Sequence, residues 1–458
     1  MRAMRKAEPG QVLVIVAFGM FALVGMAALA IDGGNVYSDR RHAQNAADTS
    51  VLAAGLQWVR DPTDWNAAAA AGLSRANDNG YNDNGTANVV QVYQCNHPAA
   101  TCNLPSPLPP LPGGSPDLTA YYIQTTITSH VPTYLARVLG VSQITNSVQA
   151  VVHAVPPWLE SRYDGAALVS LMPGCKSDSW PNDPFTLSGS SKSIVNGSGV
   201  FVNSDCDNAF TGSNNTSLVT PDGGTCVVGG VISNGVVNPP ADDHCASSID
   251  LQRFKVPPVD LTSCPNPGTI TDTGGNNYVA TAGYYDTSFP DVSPAGNLVL
   301  GPGIYCMKSG INAGAGWNIT TDVDGNGTFD GSDGHDEGVL LYVPMGEVTF
   351  NGGSDIHIGA MNNINVDIGI RGYLIYLPQS NNSPVKIAGS NGSQFIGTIL
   401  APASLITLEG GSETDSLNLQ CQIMGFSIRV TGNGTLNITY NGGKVGQAWT
   451  NPILELYR

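Results

Sequence analysis

The chain has 458 residues, which is long enough for two or three domains with a sizeable buried core. Only 12% of its residues are charged, and it contains 55 glycines and 30 prolines, so we expect frequent turns and few long soluble helices. The formal net charge of -17, with only 19 lysines and arginines, argues against nucleic acid as a partner, because phosphate binding needs clustered cations.

The first apolar segment covers residues 12–31 and contains no charged residue. A helix of this length, at a rise of about 1.5 Å per residue, matches a hydrocarbon core of about 30 Å, so we predict a transmembrane helix. Arg2, Arg5 and Lys6 precede it, and the positive-inside rule places residues 1–11 in the cytoplasm as a short stub. A cleaved signal peptide is the alternative, but the residues that follow are typical of a continued helix.

Polar and small residues follow the apolar segment at defined spacing: Ile31-Asp32-Gly33-Gly34, Tyr37, Arg40-Arg41, Gln44 and Ala46-Ala47-Asp48. With the preceding Gly10-Gln11, this pattern resembles the N-terminal segment of the Tad (TadE/TadG-like) Flp pilus-assembly proteins. A second stretch, ITSHVPTYLARVLGVSQITNSVQAVVHAVP, resembles the end of the same family's periplasmic region. Ile15 stands where processed pilin-like members carry a glutamate, so the resemblance is closer to the uncleaved TadG-like members. The resemblance implies an anchor or accessory factor in pilus assembly.

We predict that residues 32–157 form a TadG-like helical stalk and a small α/β domain. Alanine-rich sequence and β-branched runs indicate these elements: a second helix at 62–75, strands at 88–93, 120–129 and 146–155, and a short helix at 134–139.

The region 158–445 is rich in glycine and asparagine, with short apolar patches separated by turn residues. This pattern favours a β-solenoid, specifically a right-handed parallel β-helix, and a β-sandwich is the alternative. Residues 446–458 are assigned to a C-terminal tail. The whole chain is therefore predicted to have a mixed fold, with an N-terminal transmembrane α-helix, a small α/β domain and a mainly-β domain.

All nine cysteines follow the apolar segment, and none forms a CxxC pair, which argues against zinc. Export would place them in an oxidising compartment, where disulfides are expected. Cys95 and Cys102 are close enough to close one loop, and Cys226 with Cys245 is a plausible second pair. The odd number of cysteines leaves at least one thiol free or paired with another molecule.

The sharpest local motif is DVDGNGTFDGSD, at residues 322–333. It has the spacing of an EF-hand-type loop, in which alternating oxygen ligands surround one Ca²⁺ and a glycine at the sixth position allows the sharp turn. The twelfth position is aspartate, as in the dockerin-type variant of this loop. We therefore expect a structural calcium site with these ligands: Asp322, Asp324, Asn326, Thr328 (through its carbonyl oxygen), Asp330 and Asp333.

Three acidic clusters with histidine could suit a polysaccharide hydrolase or lyase on a β-helix: Asp242-Asp243-His244, His335-Asp336-Glu337, and Asp355 with His357. None carries a recognisable glycosidase or lyase signature, and polar turns account for such clusters, so we predict no catalytic residues.

The sequence as a whole predicts a non-enzymatic, exported structural or accessory protein of Flp (Tad) pilus assembly or associated secretion. It would be a single-pass protein of a bacterial cell membrane, with its bulk in the periplasm or outside the cell. The expected partners are the membrane and other pilus or secretion components. The alternatives are a surface adhesin, which could bind glycans through tyrosine- and asparagine-rich faces, and a carbohydrate-active β-helix enzyme.

Overall fold

The computed structural model describes residues 9–104, 106–108, 117–157, 159–161, 165–174, 183–245, 256–335, 337–363, 365–388, 392–410, 416–449 and 452–457. Residues 1–8 of the predicted stub, Cys175 and Asp336 lie outside these ranges. The chain divides into two compact units. Unit 1 comprises Met1–Leu159 and Trp449–Arg458, and unit 2 comprises Glu160–Ala448.

The described residues form two α-helices, α1 (Pro9–Arg60) and α2 (Trp65–Asp78), and many short strands. In chain order the strands are β1 (Asn88–Gln94), β2 (Tyr122–Pro132), β3 (Gln143–Val155), β4 (Leu159–Ser161), β5 (Leu168–Ser170), β6 (Phe185–Leu187), β7 (Lys192–Asn196), β8 (Val200–Val202), β9 (Phe210–Gly212), β10 (Ser217–Val219), β11 (Thr225–Val227), β12 (Val231–Ser233), β13 (Val236–Asn238), β14 (Asp242–Asp243), β15 (Ile270–Gly274), β16 (Asn277–Ala280), β17 (Gly283–Tyr285), β18 (Asn297–Leu300), β19 (Gly303–Met307), β20 (Ile311–Ala313), β21 (Asn318–Thr320), β22 (Val339–Tyr342), β23 (Val348–Phe350), β24 (Asp355–Gly359), β25 (Tyr373–Tyr376), β26 (Val385–Ala388), β27 (Gln394–Gly410), β28 (Ser416–Gly432), β29 (Thr435–Thr439), β30 (Gln447–Trp449) and β31 (Ile453–Tyr457). The predicted N-terminal apolar helix and large β-rich part are confirmed.

Unit 1 packs its helices against a four-stranded antiparallel sheet with the order β1-β2-β3-β31. The second half of α1 contributes small buried residues, among them Ala43, Ala47 and Ala54, which let the helix lie close to the sheet. The side chain of Asp64 caps α2 by accepting a hydrogen bond from the Ala67 N–H at 2.9 Å. The segment assigned to a C-terminal tail supplies the edge strand β31, whose Leu454 and Leu456 pack against this core.

Unit 2 is inserted between β3 and β31 in the sequence, and its strands pair in three parallel ladders. The first ladder runs β16-β18-β21-β24, through the first parts of β27 and β28, to β29-β7-β10-β13. The second runs β17-β19-β22-β25, through the middle of β27 and β28, to β5-β8-β11-β14. The third runs β20-β23-β26, through the last parts of β27 and β28, to β6-β9-β12. We call these strands the parallel stack.

The order of layers in the parallel stack differs from the order of the sequence. One layer is composite: β29, from the C-terminal side of the insertion, lies beside β28 together with β5 and β6, from the N-terminal side. From this composite layer, β7 to β14 continue the stack in one direction, and β28 back to β16 extend it in the other. The chain therefore enters and leaves the parallel stack at the same layer.

The inward side chains of the parallel stack form one extended apolar core. Aromatic residues in adjacent layers contact one another directly, as Phe185 and Phe210 do, with stacked rings 5.1 Å apart. Each layer buries its apolar side against its neighbours, which explains why the sequence shows short apolar patches without a helical period.

Disulfides join Cys95 to Cys102, Cys226 to Cys245 and Cys264 to Cys306, so both of the pairs suggested by sequence are present. Cys206 is also disulfide-bonded. Among the described residues, Cys421 is a free cysteine. It is fully buried in β28, and burial raises the pKa of its thiol, because the thiolate would be poorly solvated there.

Candidate functional site

The N-terminal part of α1 presents a continuous apolar surface. Within the described part of the chain, this helix is long and apolar enough to cross a membrane, with a window of mean hydropathy 2.7 of which 6% is buried. Large apolar side chains over residues 12–31 are exposed, including Leu13, Phe18 and Leu29 at 73%, 72% and 79%. Exposed apolar area of this extent needs a covering phase or partner, and a hydrocarbon core has the matching thickness.

Asp32 connects the end of this apolar surface to the domain that follows. It is only 3% exposed, and its carboxylate accepts hydrogen bonds from the backbone N–H groups of Tyr134 (2.9 Å), Leu135 (3.0 Å) and Ala136 (2.6 Å). These donors, with that of Ala136 first, hold the pKa of Asp32 below its usual range. The carboxylate thereby caps the 3-10 turn Ala136–Leu139, where sequence predicted a short helix at 134–139.

Asp39 makes a second connection two helical turns further along α1. Its carboxylate accepts hydrogen bonds from Ser129 Oγ (2.5 Å), Asn146 Nδ2 (2.8 Å) and Tyr81 Oη (3.0 Å). These donors come from β2, from β3 and from the segment after α2, so one helix carboxylate connects three parts of unit 1. The sequence analysis did not single out Asp39. Its spacing of seven from Asp32 was the available signal, because residues seven apart share a helix face.

The predicted calcium loop connects β21 to β22 in unit 2. Asp322 folds the loop back on itself by accepting hydrogen bonds from the N–H groups of Gly325 (2.6 Å), Asn326 (3.2 Å) and Gly327 (2.9 Å). Asp324 accepts hydrogen bonds from the Asn326 N–H (3.0 Å) and the Asn326 amide (3.0 Å), and its Oδ2 lies 2.5 Å from His335 Nδ1. The hydrogen bond with His335 lowers the pKa of Asp324 and raises the pKa of His335.

The other residues predicted to bind calcium do not converge on the site of Asp322 and Asp324. Asp330 is fully buried and lies 3.3 Å from Lys444 Nζ and 3.1 Å from the amide of Asn362. Asp333 is exposed and accepts a hydrogen bond from the Asn326 amide at 2.8 Å, while the Thr328 N–H donates to Asn326 Oδ1 at 2.7 Å. The structure therefore brings Asp322 and Asp324 together and directs Asp330 towards a lysine.

A carboxylate outside the twelve-residue motif completes the cluster. One oxygen from each of Asp322, Asp324 and Glu337 lies within 4.8 Å of the other two. Glu337 is 3% exposed, its Oε1 accepts the Val323 N–H at 3.1 Å, and its Oε2 has no hydrogen-bond donor among the described residues. Burial, and secondarily the nearby Asp324 and Asp322 charges, raise the pKa of Glu337. Sequence had offered Glu337 only as a member of a hydrolase cluster.

The other two acidic clusters with histidine differ in exposure, since the first is exposed and the second is half-buried. Asp242 and Asp243 form β14, and His244 Nδ1 lies 3.5 Å from Asp243 Oδ2, with both side chains more than half exposed. Asp355 and His357 share one face of β24, with Asp355 Oδ1 and His357 Nε2 3.0 Å apart. His244 lies in the turn after β14, whereas Asp355 and His357 belong to one strand, and each cluster pairs one carboxylate with one imidazole.

Comparison with known proteins gives one family match. Residues 10–72 match the family described as "Putative Flp pilus-assembly TadE/G-like". No curated protein and no solved structure matched the chain. The matched residues cover nearly all of α1, including its exposed apolar part, Asp32 and Asp39, together with the first part of α2. Residues 10–72 of this chain are therefore similar to the TadE/G-like domain of this family.

Proposed function

We propose that this protein is a membrane-anchored structural or accessory component of Flp (Tad) pilus assembly. The observation that carries the proposal is the coincidence of the TadE/G-like match at residues 10–72 with the exposed apolar helix surface at residues 12–31. The same helix continues into a packed domain, so anchoring and folding depend on one continuous element.

The bulk of the chain faces an oxidising compartment outside the cytoplasm. Arg2, Arg5 and Lys6 precede the span, and the positive-inside rule keeps them in the cytoplasm. The disulfides Cys95–Cys102, Cys226–Cys245 and Cys264–Cys306 all follow the span, which supports the same orientation because such bonds persist in oxidising environments.

Unit 2 serves this role as a right-handed parallel β-helix. Three parallel ladders whose strands recur in the order first, second, third along the chain support this fold over a β-sandwich. The hand follows from the strong preference of parallel crossovers for right-handed connections. Each layer is locked to the next by backbone hydrogen bonds and a shared apolar core, which makes the unit a rigid, disulfide-linked spacer or contact surface.

The function is associative, without catalysis. The exposed apolar part of α1 engages the membrane, and the remainder of the TadE/G-like segment engages other components of the assembly apparatus. The contacts of Asp243 with His244 and of Asp355 with His357 are accounted for as local hydrogen bonds or ion pairs between neighbouring side chains.

The test is made in the native host with the full-length chain. Cells are fractionated, intact cells are treated with protease, and a deletion strain is scored for surface pili with and without the wild-type gene. We expect the protein to stay in the membrane fraction and the deletion strain to have a piliation defect that the wild-type gene corrects. We expect protease to digest the bulk of the chain either in intact cells or after the outer envelope has been opened. A chain released from the membrane together with normal pili in the deletion strain would contradict the proposal and favour a separate adhesive role.

A further inference from the structure

The carboxylates of Asp322, Asp324 and Glu337 converge in the loop between β21 and β22. We propose that these three residues bind one divalent cation, with calcium as the ion that fits their oxygen chemistry. The proposal changes the ligand set expected from the twelve-residue motif, because Glu337 replaces Asp330 as the buried acidic ligand. It concerns unit 2 and does not depend on the proposed role in pilus assembly.

The geometry matches a cation. Three oxygens within 4.8 Å of one another leave a point at most about 2.8 Å from each, and calcium–oxygen distances are about 2.3–2.6 Å. A movement of a few tenths of an ångström by each side chain would bring all three oxygens to that range.

Glu337 gives an independent reason to place an ion here. A carboxylate that is 97% buried normally has a donor or a counter-charge for each oxygen, because burying it alone costs several kcal/mol. Its Oε1 has the Val323 N–H, and the backbone of Asp324 also interacts with the carboxylate, but its Oε2 has no donor at hydrogen-bond geometry among the described residues. Two further carboxylates lie beside it, so a bound positive charge would stabilise all three carboxylates.

The cationic side chains near the loop do not meet this need. Lys444 lies against Asp330, and that ion pair explains why Asp330 is buried without belonging to the cluster. His335 contacts Asp324, is 61% exposed and makes no hydrogen bond to Glu337, so its main interaction is with the outer edge of the cluster. An incoming cation would take the place of the His335 contact on Asp324.

The cation would stabilise an insertion in the parallel stack. The loop begins after Thr320 in β21 and ends before Val339 in β22, two strands that belong to adjacent ladders. Binding Asp322 at the start of the loop to Glu337 at its end would close the loop at its base. Extracellular calcium modules work at dissociation constants of about 10⁻⁴–10⁻³ M, which is the range we expect here.

The experiment uses the full-length protein in detergent, stripped with EDTA and titrated with calcium chloride in a calorimeter. We expect one site in the wild type and a dissociation constant at least about tenfold higher in Glu337→Gln and in Asp324→Asn, since each removes a ligand charge. Asp333→Asn is the matched control, because it removes an exposed acid that belongs to the motif but not to the proposed set. Its affinity should stay within about threefold of the wild type.

Three results would overturn the proposal: no binding by the wild type at millimolar calcium, wild-type affinity in Glu337→Gln, or equal losses in Asp333→Asn and Glu337→Gln. Melting temperature in EDTA provides a second measurement. Glu337→Gln removes a buried charge beside two like charges, so it should melt no lower than the wild type without calcium, and calcium should no longer raise its melting temperature. A lower melting temperature in EDTA would mean that the carboxylate serves the fold alone. If Glu337→Gln lacks the wild-type circular dichroism spectrum, the calcium affinity of Asp324→Asn tests the proposal instead, because the side chain of Asp324 is 37% exposed and its replacement should leave the fold intact.

Discussion

Replacing Asp39 by alanine should loosen the attachment of α1 to the sheet of unit 1. The carboxylate accepts hydrogen bonds from Ser129, Asn146 and Tyr81. In the variant, Asn146 keeps the Val36 carbonyl as an acceptor at 3.1 Å, and Tyr81 keeps the carbonyl of residue 39 at 3.1 Å. The main loss is therefore the acceptor for the buried Ser129 hydroxyl, together with the charge assistance of the other two bonds.

Hydrogen bonds to charged groups contribute about 1.5–3 kcal/mol each, and the two retained backbone acceptors offset part of the loss, so we expect a cost of about 2–4 kcal/mol. At about 1.4 kcal/mol per tenfold, amides that exchange through opening of this unit should exchange about 30-fold to several hundred-fold faster. Hydrogen exchange followed by mass spectrometry measures this directly in peptides covering β2 and β3, with peptides from β27 and β28 as an internal reference.

Asp48→Ala is the matched control, because Asp48 lies on the same helix but accepts its hydrogen bond from Gln44, one turn away on the same helix, at 2.9 Å. Its effect should stay within about 0.5 kcal/mol. Unchanged exchange in β2 and β3 of Asp39→Ala, or an equal change in Asp48→Ala, would refute the assignment of Asp39 as the connecting residue.

Three further predictions concern other contacts. Because the folded pKa of Asp32 lies below its unfolded value of about 3.9, its stabilising contribution is present above that pH and is lost as the pH falls through the folded value. The melting temperature of Asp32→Asn should therefore lie below that of the wild type at pH 7 and approach it at low pH, whereas a constant difference would contradict this. Removing the Cys264–Cys306 disulfide, with a separation of 42 residues, should cost about 4 kcal/mol, against about 2 kcal/mol for Cys95–Cys102, with a separation of 7, in chemical denaturation of paired serine variants. Equal costs would contradict the expectation that a disulfide closing a longer loop removes more entropy from the unfolded chain. Gly432 has φ of +99° and its added Cβ would lie 2.2 Å from a carbonyl oxygen, so Gly432→Ala should cost at least about 1–3 kcal/mol, while Gly314→Ala, with open space around it, should change denaturant stability by less than about 0.5 kcal/mol.

Local signals in the sequence were sufficient to predict most of the helices and strands of unit 1. The uncharged run at 12–31 and the alanine-rich sequence after it predicted helix, and α1 is continuous from Pro9 to Arg60. The predicted second helix at 62–75 is displaced to Trp65–Asp78, because the Asp64 side chain caps the helix two residues beyond Pro62. The predicted strands at 88–93, 120–129 and 146–155 correspond to β1, β2 and β3 with shifted ends.

Pairings between distant segments had no local signal. β31 is a five-residue strand that pairs with β3 across the whole of unit 2, and nothing in its own sequence indicates that partner. The composite layer is a similar case, since β28 and β5 are separated by more than 200 residues and pair only in the folded chain. In the candidate cation site, the spacing of Asp322 and Asp324 was visible in the motif. Glu337 lies outside the motif, and its burial and its proximity to the two aspartates exist only in the folded chain.

The composite layer also determines how unit 2 would respond to mechanical tension along the chain. A pull applied through residues 160 and 448 first loads the two-stranded sheet that β4 and β30 form with each other, because these residues lie in those two strands. Beyond that pair lie β5 on one side and β29 on the other, and both of these strands lie in the composite layer, beside β28. On the C-terminal side, Lys444 contacts Asp330 and the Gly446 N–H donates to Thr398 Oγ1, so part of the load also passes to the loop after β21 and to β27 before it reaches β29. Resistance to force would be set by the rates at which the β4–β30 pair and then the composite layer open, and the layers from β10 to β14 would contribute little to it.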